Sequence, residues 1–71
     1  METRVLSVSS QTVAMKAKRL LGNNGIFTQI VRVNPRITPK GCSWGLEIET
    51  SAITTAIYHL EKNEIPFGGI L

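Results

Sequence analysis

One side chain in this sequence can form and break a covalent bond on its own, and its type occurs once. Cys42 lies in Thr38-Pro39-Lys40-Gly41-Cys42-Ser43-Trp44-Gly45, a stretch punctuated by Pro and Gly that leads into the strand-like Leu46-Glu47-Ile48. A single thiol has no internal disulfide partner and cannot build a metal site alone. Two roles are open to it. It can be a small buried hydrophobe, since cysteine is among the residues most often found inside. Or it can be a nucleophile used on another molecule, in which case the reactive species is the thiolate. Positive charge and helix N-termini favour the thiolate. Lys40 and Arg36 stand in the same loop to supply the first, and Gly41 and Ser43 leave the flanks of the sulfur uncrowded.

The other titratable residues offer less. His59 is the only histidine. It falls on the flank of a helical stripe, and no acid is placed to orient it as a base for Cys42. Glu47 and Glu49 are two apart on a strand and so share a face, the usual place for solvated charges. Glu61 and Glu64 read as surface residues at a helix end. There is no phosphate-binding Gly-rich loop, no dinucleotide turn and no zinc-ligand spacing, so neither a cofactor nor a metal is expected.

The net charge is +3, with Lys16, Lys18 and Arg19 in one segment and Arg32, Arg36 and Lys40 near the cysteine loop. This is a mild positive balance, suited to a solvated helix face or to an acidic partner, and thinner than the basic stripe of a nucleic-acid domain. The aromatics do not form a base-stacking platform. Phe27, Trp44 and Phe67 each read at least as well as core residues.

The elements that would carry these residues are short. Apolar residues over about Arg4 to Val8 predict a first strand, and Ser9 or Ser10 can cap the helix that follows. Val13, Ala14, Ala17, Leu20 and Leu21 recur at helical spacing over Gln11 to Asn23. Asn23-Asn24-Gly25-Ile26 is a stop signal in which Gly25 can take a left-handed conformation. A second strand is predicted from Phe27 to Val33, a loop from Asn34 to Ser43, and a third strand from Trp44 to Glu49 with Trp44, Leu46 and Ile48 facing inward. Thr50 or Ser51 is positioned to cap a second helix over Ala52 to Asn63, with Ile53, Ala56, Ile57 and Leu60 as its stripe. After Pro66, Phe67 to Leu71 can close the chain as a fourth strand weakened by Gly68-Gly69.

The order β-α-β-β-α-β predicts one α+β domain over residues 1–71, a ferredoxin-like sandwich with two helices on one face of a four-stranded antiparallel sheet. In that arrangement the end of the first strand, the start of the first helix and the loop before the third strand share an edge. Ser9, Ser10 and the helix N-terminus would then stand on the side of Cys42. Seventy-one residues bury a modest core, and sheet edges make a homodimer one means of burying more. No run is apolar enough to span a membrane, the N-terminus does not read as a signal peptide, and one cysteine is no disulfide framework. A reducing, cytoplasmic setting is therefore expected.

Taken along its length, the chain resembles the small bacterial domains of the selenium/sulfur carrier-like family. The likeness rests on the Ser/Thr-led helix from Ser9 to Leu21, on Gly25-Ile26 before the second strand, and above all on the loop Arg36-Ile37-Thr38-Pro39-Lys40-Gly41-Cys42. Ser43-Trp44 stands here before Gly45, where the family often has Gly directly after Cys. The resemblance implies that Cys42 carries sulfur or selenium as a persulfide or selenyl sulfide; Gly41, Ser43, Lys40, Arg36, Ser9 and Ser10 are the candidate supporting residues by their place in the loop and at the shared edge. It also implies a protein donor such as a cysteine desulfurase; composition argues separately against a membrane span and ranks nucleic-acid binding through the basic helix face last. The residues themselves leave a second role open: a non-catalytic interaction or small-ligand-binding module whose cysteine is structural.

Overall fold

A computed structural model describes residues 2–38 and 42–71. Strand β1 is Thr3–Val8, helix α1 Gln11–Asn23, strand β2 Thr28–Arg32, strand β3 Trp44–Glu49 and helix α2 Ile53–Lys62. The strands form an antiparallel sheet in the order β1-β3-β2, so β1 and β2 run the same way on either side of β3.

The pleat sorts the side chains into two faces. Leu6 pairs with Leu46 and Val8 with Trp44, while Ile30 pairs with Leu46 from the other side. These residues share one face, together with Ile48. That face meets the apolar stripes of both helices. Leu6, Val8, Leu46 and Ile48 cluster with Ala14, Ala17 and Leu21 of α1 and Ala56 and Leu60 of α2, all buried. Val13, Leu20, Ile53 and Ile57 pack at the margin of the same cluster. Glu47 and Glu49 point to the opposite side, as their spacing predicts.

Helix α1 begins where a serine can satisfy it. Ser10 is extended, and its hydroxyl accepts from the Val13 N–H at 3.2 Å. The helix ends in a Schellman motif. Gly25 takes φ +76°, the Ile26 N–H donates to the Leu21 carbonyl at 2.8 Å, and Gly25 N–H donates to Gly22 at 3.1 Å. Ile26 is drawn into the core by this wrap. Helix α2 ends identically in pattern: Ile65 N–H to Leu60 at 2.9 Å and Glu64 N–H to Glu61 at 3.1 Å, with Glu64 at φ 57° where α1 has glycine.

Three expectations are corrected. Strand β2 starts at Thr28, not Phe27, and Phe27 is 83% exposed. The reason is local: Ile26 is spent on the helix stop and Thr28 faces the core, so the residue between them must face out. Neither Thr50 nor Ser51 caps α2. Thr50–Ala52 form a 3₁₀ turn running straight into the helix, whose N-cap, Ala52, makes no side-chain cap bond. The tail Phe67–Leu71 is not a regular strand. It makes one bridge, Leu6 with Ile70, and the sheet has three strands. The tail nevertheless lies along β1. Ser7 N–H donates to Gly69 at 3.0 Å, Gly68 N–H to Ser7 at 2.6 Å and Leu71 N–H to Val5 at 2.7 Å. A Cβ on Gly68 would collide with the Ser7 side chain, so the close approach requires glycine there. No helix among the described residues is long and apolar enough to cross a membrane.

Candidate functional site

Cys42 sits two residues before β3, at the end of the sheet where Val8, Arg32 and Trp44 lie side by side. Its neighbour Ser43 extends the ladder by one bond, its carbonyl accepting from the Val33 N–H at 2.9 Å. The register therefore carries the chain from β2 into the Cys42 segment in continuous pairing. Cys42 itself is partly buried and its thiol is free. It is neither sealed in the core nor fully out in solvent.

The loop that delivers it is built from a turn and a clasp. Asn34-Pro35 opens a tight turn in which the Asn34 side-chain oxygen accepts from the Arg36 N–H at 2.9 Å, and its carbonyl accepts from Ile37 N–H at 3.1 Å. Asparagine and proline supply both halves of such a turn. Thr38 then folds inward and is buried. Its hydroxyl reaches the Cys42 carbonyl at 2.6 Å and the Pro35 carbonyl at 3.2 Å. One hydroxyl proton serves one acceptor at a time, and the shorter contact is the stronger. Thr38 thus fixes the backbone on which the thiol is mounted. The sequence marks Thr38 only as a hydroxyl three residues after the turn proline, a placement from which a threonine can bond a local carbonyl.

The sequence-predicted neighbours are distributed as follows. Lys40 and Gly41 lie outside the described residues, as does Pro39. Arg36 is exposed in the turn. Among the described residues, Arg32 has a defined place at this end of the sheet, its guanidinium 4.6 Å above the Trp44 ring. Ser9 is exposed just past the end of β1, and Ser10 beside it is committed to capping α1. Both follow Val8, which pairs with Trp44, so they stand at the sheet end that also carries Cys42. His59 sets its ring edge-on to Tyr58 at 5.4 Å, and no hydrogen bond joins it to Cys42 among the described residues. No cluster of three or more His, Cys, Asp or Glu forms among those residues.

At the opposite end of the sheet, an open cleft of about 410 Å³ is bordered by Ile26, Phe27, Glu47 and Glu49. It is separated from Cys42 by the length of β3.

What this arrangement can do chemically is narrow. A single thiol, on a backbone held by hydrogen bonds and at the rim of a small domain, can exchange with an incoming sulfur. Among the described residues, no base is hydrogen-bonded to Cys42. A family model described as "Putative Se/S carrier protein-like" matches residues 3–71. No curated protein and no solved structure matches the chain.

Proposed function

The chain belongs to the Se/S carrier protein-like family, and from that premise we propose that it carries sulfur or selenium on Cys42. The observation that supports the reading is the mounting of the cysteine. The only thiol of the protein is free and partly accessible, on a backbone clasped by Thr38 at one of the two ends of the sheet. A cysteine serving as core filler would be expected among Leu6, Leu46 and Ile48, and Cys42 is not in that cluster.

Loading is a thiol exchange. The Cys42 thiolate attacks the outer sulfur of a donor persulfide, R–S–SH. A bond forms between the Cys42 sulfur and that outer sulfur, the donor S–S bond breaks, and its electron pair leaves on the donor thiolate. The proton stays on the transferred sulfur, and no external oxidant or reductant is consumed. Delivery reverses the step onto an acceptor. Selenium follows the same course from a selenyl sulfide. A cysteine desulfurase carrying its product as a persulfide is a donor of the right chemistry, and a reducing cytoplasm keeps the thiol available. Gly41, Ser43, Lys40, Arg36, Ser9 and Ser10 are the surroundings this reading would have act on the thiol. The tail hydrogen-bonded along β1 supports reading the fold as a ferredoxin-like sandwich whose fourth strand is reduced to a bridge.

The test is intact-mass analysis after incubation with a persulfide donor. A gain of about 32 Da that is lost on reduction and absent in Cys42→Ser supports carriage. If the wild-type protein takes up no sulfur while folded, and only after unfolding, then Cys42 is structural and the interaction-module reading replaces this one.

A further inference from the structure

The two edges of the sheet are treated differently. The outer edge of β1 is covered by the tail through Gly68, Gly69 and Leu71. Along the outer edge of β2, no segment of the described residues is hydrogen-bonded. The bond from Val33 N–H to Ser43 sets the phase of the ladder. In an antiparallel pair, bonded positions alternate, so Val31 and Gln29 also bond inward to β3, and the N–H and C=O groups of Thr28, Ile30 and Arg32 point outward. Natural edges are commonly blunted by Lys, Pro or a bulge. Thr28-Gln29-Ile30-Val31-Arg32 contains no Lys and no Pro, its one charge, Arg32, lies over the Trp44 ring, and the strand pairs in unbroken register.

Beside this edge runs a groove. Met15, Lys18, Arg19, Gly22 and Asn23 of α1 face Ile30 across a space of about 460 Å³. Met15 is 55% exposed, large for an apolar side chain with a core nearby. Two of the lining residues are cations and none is an acid. A strand added to β2 would place alternate side chains over this groove, apolar against Met15 and Ile30 and negative against Lys18 and Arg19. A second copy paired strand to strand would bring its own Lys18 and Arg19 against these, a like-charge arrangement.

We infer that the β2 edge and the α1 groove form a docking site for an extended acidic-apolar segment of a partner protein, bound by strand addition. Five residues of edge span about 17 Å, enough for a segment of five to seven residues. The site is independent of thiol chemistry and goes beyond the carrier reading.

The experiment uses the Cys42→Ser protein, so that the thiol takes no part. The probe is a blocked heptapeptide, Val-Thr-Val-Thr-Glu-Thr-Glu, which presents two valines and two glutamates on one face. Its counterpart has lysine in place of glutamate. The expected result is that the glutamate peptide shifts the Ile30 and Arg32 amide resonances and slows their hydrogen exchange. Charge reversal by Lys18→Glu with Arg19→Glu, both at exposed positions, should weaken binding by about tenfold or more. Comparable binding of the lysine peptide, or no change at these amides, overturns the inference. Concentration-dependent protection of Ile30 in the protein alone overturns it in favour of a second copy. Displacement of the peptide by a short single-stranded RNA from the same amides overturns it in favour of nucleic acid.

Discussion

Replacing Thr38 by valine tests whether the clasp holds the thiol. The substitution keeps the β-branched shape of a buried side chain and removes its hydroxyl. The lost bond is the 2.6 Å contact to the Cys42 carbonyl, with the 3.2 Å contact to Pro35 as its alternative. A neutral hydrogen bond contributes about 0.5–1.5 kcal/mol net, and a carbonyl left partly buried without a donor adds to the loss, giving about 1–2 kcal/mol in total. For a domain of this size that lowers Tm by about 4–8 °C per kcal/mol. The local effect is more specific. The bond links residues four apart, so its removal frees the backbone of Cys42 from Thr38, and about 1.4 kcal/mol corresponds to a tenfold change in the population of the clasped state. Alkylation of folded Thr38→Val by iodoacetamide should therefore be faster by up to about tenfold. Thr38→Ser is the control. It loses a methyl, worth about 0.8 kcal/mol, and keeps the hydroxyl, so it should lower Tm without changing the alkylation rate. Equal alkylation rates for wild type, Thr38→Val and Thr38→Ser would refute the claim that this hydroxyl positions Cys42.

Three further outcomes follow from the same geometry. Glu64 holds a left-handed conformation that costs a residue with a Cβ about 1–2 kcal/mol, part of which glycine returns through its freer unfolded chain. Glu64→Gly should thus gain about 0.5–1 kcal/mol in urea unfolding, and a loss would show that the Glu64 side chain does something else. Ser7 is fully buried, and its hydroxyl accepts from the Gly69 N–H at 3.0 Å. Ser7→Ala should cost about 1–2 kcal/mol and accelerate amide exchange in Gly69 and Leu71 ahead of the core, whereas uniform acceleration would place the loss elsewhere. The Thr50 hydroxyl is buried without a partner among the described residues. Thr50→Val should leave stability unchanged or raise it by about 1 kcal/mol, and a clear drop in Tm would mean the hydroxyl is bonded in solution.

The parts of the fold that were legible are those where side-chain periodicity and core burial agree. Leu46 and Ile48 alternate with Glu47 and Glu49, and the structure puts the first pair in the core. Ala14, Ala17 and Leu21 mark the inner stripe of α1, and Asn24-Gly25-Ile26 announces its end. The unread parts are those where a short-range rule yields to a neighbour distant in sequence. Phe27 carries strand propensity, but its face is decided by Ile26 wrapping back on Leu21. Thr50 has the chemistry of a cap, but a 3₁₀ turn takes the place a cap would occupy. Ser7 looks like any polar residue in an edge strand until the tail arrives to bond it. The second helix stop was readable in principle: Leu60-Glu61-Lys62-Asn63-Glu64-Ile65 repeats the Leu-x-x-Asn-x-Ile of Leu21 to Ile26, with the glycine absent. At the candidate site, the loop was legible from residue types over its described residues, 34–38 and 42–43. The role of Thr38 was not, because it depends on how the chain returns to itself four residues later.

The tail that seals β1 has a bearing on how the protein is made. Ser7 and Gly69 are 62 positions apart, and they meet through backbone and hydroxyl alike. A chain synthesised from its N-terminus at about 5–20 residues per second exposes Ser7 several seconds before Gly69 exists. During that interval the first strand has its edge open and its buried serine unbonded. Covering the β1 edge depends on residues far away in sequence, so it is among the contacts of longest loop closure in the domain. An uncovered β1 edge is a template for pairing with another chain, so the tail guards the domain against that association.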